Sequence, residues 1–215
     1  MSRQILTQHD FLNRNDRIKL KGYYFQLWKG HRMKAYHRHE RIELMYATEG
    51  ECSVWIIDDQ EGKNEREIRL AQNEMILIDS GIWHKLIVSE SCRIINLEFM
   101  PERSNYANGS LKEAAGYSPE LVFFLKKFNQ TAICLDQSNI LKVAKLILSE
   151  TKNASAYKDR GEVLNMYCNL LMIEARVRAG RHVGGRPSFL PDRPIRHFAA
   201  VCFRRVVCRK LKTNI

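Results

Sequence analysis

From residue 22 to residue 99 the chain alternates short apolar runs with turn-forming residues. The runs are YYFQLW (23–28), RIELMYAT (41–48), CSVWII (52–57), REIRL (66–70), EMILID (74–79), KLIV (85–88) and CRIINLEF (92–99). Ile, Val, Leu and aromatic residues dominate them, as pleated, half-buried strands require. Glu49-Gly50-Glu51, the stretch from Asp58 to Asn64 and Ser80-Gly81 punctuate the series. Many short strands at close spacing predict an antiparallel sandwich or barrel rather than a βαβ sheet.

After Pro101 the pattern changes. Residues 102–110 read as a polar loop. Ser118-Pro119-Glu120 is a helix start, with Ser as N-cap, Pro at the first helical position and Glu at the positive end of the dipole. A second helix is predicted from about Ser138 to Glu150, with Ile140, Val143, Ala144 and Ile147 as its apolar stripe. A third spans roughly 159–179 and stops at Gly180. Its seam of Val163, Met166, Leu170, Ile173 and Val177 fits packing on the sheet or the second helix, or a helix pair across a homodimer. The chain therefore divides into a barrel over 1–100, a helical dimerisation segment over 101–180 and a tail over 181–215.

Charge matters through its location. The net charge is +11, but residues 181–215 carry nine Lys/Arg against one acid, so 11 − 8 leaves +3 for residues 1–180. The body offers no compositional case for binding DNA by itself. The tail holds three of the five prolines and no clean period, so it reads as disordered, or as a truncated or out-of-frame end. The six cysteines (52, 92, 134, 168, 202, 208) contain no CxxC pair and read as small core residues of a reducing compartment. No apolar run is long enough to span a membrane, and the start lacks a secretory core, which places the expected location in the cytoplasm, away from membranes.

Candidate chemistry sits in YHRHERIELMY (36–46). His37, His39 and Glu43 share parity, so on a regular strand they face one space. Two imidazoles and a carboxylate suit Fe(II), Mn(II), Zn(II) or Ni(II), and His84, just after the SGIW turn, is the candidate fourth ligand. The alternative is a hydrogen-bonded His–Glu pair that holds a ligand hydroxyl without metal. Trp55 shares parity with Ser53 and Ile57 and is a candidate for stacking on a flat ligand.

His37-x-His39, three residues, Glu43, six residues and Gly50 resemble the first cupin motif, with Gly30 one residue further upstream than usual. NEMILIDSGIWHKLIV resembles the second, with Gly81-x-x-His84. There Asn73, Asp79 and Val88 stand where Gly, Pro and Asn are usual. Over roughly 22–180 the chain is similar to the amino-terminal sensor domain of AraC/XylS-type transcription regulators. That resemblance implies a mainly β fold, a cupin-like antiparallel β-barrel (double-stranded β-helix) followed by two or three α-helices. It implies a non-enzymatic module that binds a small-molecule effector, such as a sugar, through His37, His39, Glu43, His84 and Trp55. It also implies a homodimer formed through the helices, and DNA contact only through a helix-turn-helix domain that residues 181–215 do not match. The rival reading is a metal-dependent cupin enzyme, a dioxygenase or isomerase, using the same four residues as ligands.

Overall fold

The computed structural model describes residues 5–8, 10–57, 65–105, 109–128, 131–135, 139–152 and 160–182. The expected tail over 181–215 falls, from residue 183 onward, outside the described residues, so its predicted disorder or aberrant end is not addressed.

Among the described residues, seven strands form one curled antiparallel sheet: β1 (Arg17–Arg32), β2 (Ile42–Gly50), β3 (Cys52–Ile57), β4 (Glu65–Leu70), β5 (Glu74–Ile78), β6 (Trp83–Glu102) and β7 (Thr131–Leu135). KLIV and CRIINLEF, expected as two strands, are one 20-residue strand. It is the hub of the sheet, pairing with β1 along one edge and with β3 and then β2 along the other. No Gly or Pro interrupts residues 83–100, so nothing in the backbone forces a break. The segment after 101 supplies β7 as well as helices, and β7 pairs with β5.

The sheet has two buried faces. Met45, Ala47, Val54, Ile56, Leu86, Val88 and Ile94 pack inside the curl, with Tyr24, Trp28 and Met33 against them. Ile42, Leu44, Tyr46, Leu97 and Phe99 have the opposite parity and are also buried. This is why β2 is buried at six consecutive positions, Ile42 to Ala47, rather than at alternating ones. The outer layer is helical: α1 (Ile5–Gln8), α2 (Leu111–Gly116), α3 (Pro119–Lys127), α4 (Ile140–Lys152) and α5 (Arg160–His182). Helix α5 touches both β1 and β7, which lie at opposite ends of the order β1-β6-β2-β5-β7, so it crosses the outer face.

The Ser118 cap is as expected: its side chain accepts from the Leu121 N–H, and Pro119 opens α3. Within the expected polar loop, Ser110 caps the short helix α2 by accepting from Glu113 N–H at 3.1 Å. Two expectations for α5 need correction. The helix runs through Gly180 to His182. Its buried face is Asn165, Cys168, Asn169 and Met172, whereas Val163, Met166 and Leu170 of the expected seam are half-buried. The reason is polar anchoring. The Asn165 and Asn169 amides both donate to the Gly109 carbonyl, at 2.8 and 2.7 Å, and turn that side of the helix inward. Ile173 is buried, and the Val177 side chain lies outside the described residues.

The departures from the second cupin motif find local explanations. Asn73 adopts φ 69°, a left-handed position that Gly takes freely and Asn tolerates best among other residues. Asp79, at a usual Pro position, is buried and accepts from the N–H groups of Ile5, Leu6 and Ser80 at 2.8–2.9 Å, tying the chain's start to the sheet. Val88 is a core residue.

Candidate metal centre

The four histidine and glutamate side chains converge, but not by strand parity. His37 and His39 lie in the irregular segment between β1 and β2, and only Glu43 lies within a strand of that stretch. Tertiary hydrogen bonds place them. His37 and His84 exchange backbone N–H···O bonds of 3.0 and 2.9 Å, an isolated bridge onto the start of β6. The Gly81 N–H donates to the His39 carbonyl at 2.8 Å, and Gly81 has φ 75°. Glu43 is fixed by β2, opposite Glu98 in β6 and Ile78 in β5.

One ligand atom from each of His37, His39, Glu43 and His84 lies within 4.8 Å of the others. His84 Nε2 and His39 Nε2 stand 2.8 and 2.9 Å from Glu43 Oε2. Metal–nitrogen and metal–oxygen bonds of about 2.1 Å put adjacent ligands about 3 Å apart and opposed ones about 4.2 Å apart. The cluster therefore closes on an ion with small side-chain shifts.

The protonation pattern sharpens this fit. His84 Nδ1 is 2.9 Å from the Ile82 carbonyl, which only accepts, so Nδ1 carries the proton. In the neutral ring Nε2 is then a lone pair facing the Glu43 carboxylate, and it has no hydrogen-bond partner. Two buried acceptors 2.8 Å apart repel unless an electrophile, a second proton or a cation, lies between them. His37 Nδ1 is a second buried ring nitrogen without a partner. The donor set of three imidazoles and one carboxylate suits a divalent first-row ion and leaves coordination positions open.

Electrostatics point the same way. Burial works to raise the Glu43 pKa, yet the hydrogen bond from His39 and the two neighbouring imidazoles outweigh it and hold the carboxyl well below its usual range. The bond to Glu43 raises His39, against the effect of burial. Burial, with help from the neighbouring His84, lowers His37. The carboxylate is thus ionised and the His37 imidazole favours its neutral, ligating form.

Residues outside the motif complete the site. The Asn96 amide donates to Glu43 Oε1, leaving Oε2 for the histidines. The Tyr24 hydroxyl faces Asn96, and burial raises its pKa strongly. Both were missed in the sequence, although Asn96 is a polar residue at the inward parity of Cys92 and Ile94. Outer hydrogen bonds of this kind orient ligands, and their loss costs about 10–100-fold in metal affinity. Asn96→Ala is expected to weaken divalent-ion binding by that factor in calorimetric titration, with one site per chain retained.

Trp55 is not brought to the cluster. Ile56 pairs with His84, whereas Trp55 pairs with Lys85 on the opposite face, where the Lys85 ammonium lies 5.2 Å from its ring. Trp83 is also outward, under the Arg38 guanidinium. The inward tryptophan is Trp28, which packs edge-on to Tyr24. His31, near the end of β1, packs against Trp28 with ring centroids 4.2 Å apart.

Residues 23–98 match the family model described as Cupin domain, so the chain contains a cupin domain. Among solved structures it is similar to protein NMB1881 from Neisseria meningitidis (18% identity, 39% of this chain, 84% of that chain, TM-score 0.28). It is also similar to Bacillus subtilis oxalate decarboxylase, a protein with Mn(II) centres (14% identity, 54% and 33% coverage, TM-score 0.33). A third is Drosophila melanogaster CENP-C bound to CAL1 (15% identity, 35% and 60% coverage, TM-score 0.32). The chain spans about a third of the oxalate decarboxylase chain. No curated protein matches.

Proposed function

We propose that this chain is a metallo-sensor: a non-enzymatic cupin module in which His37, His39, Glu43 and His84 hold one divalent ion, Mn, Fe, Ni or Zn. The observation that carries this reading is the convergence of one ligand atom from each of the four residues to within 4.8 Å, with the buried His84 Nε2 2.8 Å from Glu43 Oε2. When bound, the ion supplies a Lewis-acidic site for oxygen donors of a small effector such as a sugar. The chain's residues hold that ion and fix its orientation: Glu43 through Asn96, and His84 through the Ile82 carbonyl.

The regulatory half of the reading rests on the similarity to AraC/XylS-type sensor domains. The arrangement of β1 supports it. Gly22 of β1 lies so close to Glu98 that a Cβ there would sit 2.6 Å from the carboxylate, and Glu98 pairs with Arg41 beside His39. The start of β1, five residues before Gly22, is tied to α5 by Arg17–Glu162 at 2.5 Å. An effector at the metal thus acts on a strand that also carries a helix of the proposed homodimer, and it shifts that equilibrium only by its difference in affinity for the two states.

Titration of the metal-free chain with Mn, Ni and Zn, followed by sugars and by size measurement, tests this. One equivalent of metal and an effector-dependent change in dimerisation are expected. Turnover of a small molecule after iron loading would instead make the chain a cupin enzyme. Affinity should also depend on pH in a defined sense. Ligating imidazoles must be deprotonated, and His39 is raised above the ordinary 6.5, so proton competition sets in above that value. Metal affinity is expected to fall on acidification from neutral pH, and a pH-independent affinity between 8 and 6 would contradict it.

A further inference from the structure

The arm that carries His37 and His39, residues 33–41, is not a strand. Its backbone meets residues 81–86 through the His37–His84 bridge, the Gly81–His39 bond and the Met33 N–H, which donates to the Leu86 carbonyl at 3.1 Å. An antiparallel bridge sets the residues on either side of it opposite one another. Here Tyr36 stands against Lys85 and Arg38 against Trp83. Their side chains leave from the face opposite to that of His37 and His84.

Both outer pairs stack a cation on a ring, in opposite senses. The Lys85 ammonium lies 4.1 Å from the centroid of the Tyr36 ring, so β6 supplies the cation and the arm supplies the ring. The Arg38 guanidinium lies 4.6 Å from the centroid of the Trp83 ring, so the arm supplies the cation and β6 supplies the ring. Trp55, opposite Lys85 in β3, stands 5.2 Å from the same ammonium and braces it from the neighbouring strand. Glu65 is 4.0 Å from Lys85. Between the two stacked pairs, on the inner face, the His37 and His84 rings lie 4.1 Å apart.

We propose that Tyr36–Lys85 and Arg38–Trp83 form a double cation–π clasp that holds the arm against β6 and so aims His37 at the metal position. The metal half of this inference rests on the reading above. The four clasp residues are positioning residues, since each acts through the histidine beside it. A ligand on an irregular segment is placed less precisely than one on a strand, and support from packed neighbours makes up the difference. The clasp also fixes register. A slip of two residues would set His39 opposite His84, and it would bring Arg38 against Lys85, two like charges. The clasp thus selects which histidine of the His37-Arg38-His39 run faces His84. At exposed sites each such contact is worth about 2–5-fold in an equilibrium, so losing both should open the arm about 5–25-fold more often.

The test is hydrogen exchange of the His37 amide, which donates to the His84 carbonyl, in the full-length chain with metal chelated. The double variant Trp83→Leu/Lys85→Met removes one partner of each pair and leaves the arm's own sequence intact. His37 exchange should quicken about 5–25-fold, through an opening that depends little on urea, as a local event does. The conservative pair Trp83→Phe/Lys85→Arg should return it towards the parent rate. Zinc should slow His37 exchange in the parent, because an ion bound to the closed arm opposes its opening. Unchanged exchange in the double variant, or exchange only through the urea-dependent global transition, overturns the clasp. Equal acceleration in Glu65→Gln, which removes only the ion pair of Lys85, assigns the effect to that pair and also overturns it. A parent that binds zinc without slowing His37 exchange overturns the clasp's tie to the metal. A parent that binds no zinc ends the metal reading alone, and the metal-free exchange then decides the clasp by itself.

Discussion

Glu43→Gln is expected to bind divalent metal more than about 100-fold more weakly than the parent chain, beyond the range for loss of an outer hydrogen bond. The amide keeps the size and the contact with Asn96, but it removes the one negative charge of the donor set. It also offers an N–H to the lone pair of His84 Nε2, which satisfies the imidazole without a cation. The metal-dependent rise in melting temperature should vanish with the affinity, because a ligand stabilises the folded state only by binding to it. Calorimetry and thermal melts with and without Ni or Mn read both effects. Parent-like affinity in Glu43→Gln would remove Glu43 from the ligand set.

The largest effect on stability is expected at Gly50. Its φ of 70° is left-handed, and an added Cβ would lie 2.1 Å from the Ser91 carbonyl oxygen and 3.1 Å from the Ser91 carbonyl carbon. These are backbone atoms of β6, the strand that holds the sheet together, and they cannot swing aside as a side chain can. The left-handed conformation costs a non-glycine residue about 1–2 kcal/mol, and prising β2 from β6 adds to it. Gly50→Ala should therefore destabilise by about 4 kcal/mol or more, in the range reserved for a named steric cause. Gly30→Ala is the control. Gly30 has φ 51°, yet nothing lies within 4 Å of its added Cβ, so only the conformational cost of about 1–2 kcal/mol applies. Urea unfolding of the two variants should separate them clearly, and equal losses would show that the close approach at Ser91 is not rigid.

The Gly50 position also shows what was legible in the sequence. It was readable as a turn from Glu49-Gly50-Glu51, and the structure adds why no other residue fits there. The strands of the barrel were legible because apolar runs and turn residues alternate. The break expected between KLIV and CRIINLEF was not real, since Ser89-Glu90-Ser91 is polar without being a breaker and the hub strand continues through it. The β7 strand was hidden because five residues near a helix start carry too little periodicity to distinguish the two states.

The metal residues were legible from motif spacing, but the parity argument gave the right group for the wrong reason. Residues 33–41 are not a regular strand, and His37 and His39 are aimed by backbone bonds to His84 and Gly81, which no local rule contains. Parity did carry usable information further along. It would have set Trp55 aside from His84 had the β3–β6 register been known, and it marks Asn96 as an inward polar residue in need of a partner. The buried face of α5 was not legible from apolar spacing alone, because it includes Asn165 and Asn169, which are buried and bonded to Gly109.

X-ray absorption at the nickel or zinc edge of the loaded full-length chain tests the central claim most directly. The predicted spectrum shows three imidazole rings with nitrogen at about 2.0–2.1 Å and at least one oxygen ligand. It should lose one imidazole in His84→Ala. A loaded chain whose spectrum shows only oxygen ligands, or an unchanged imidazole count in His84→Ala, would contradict the site.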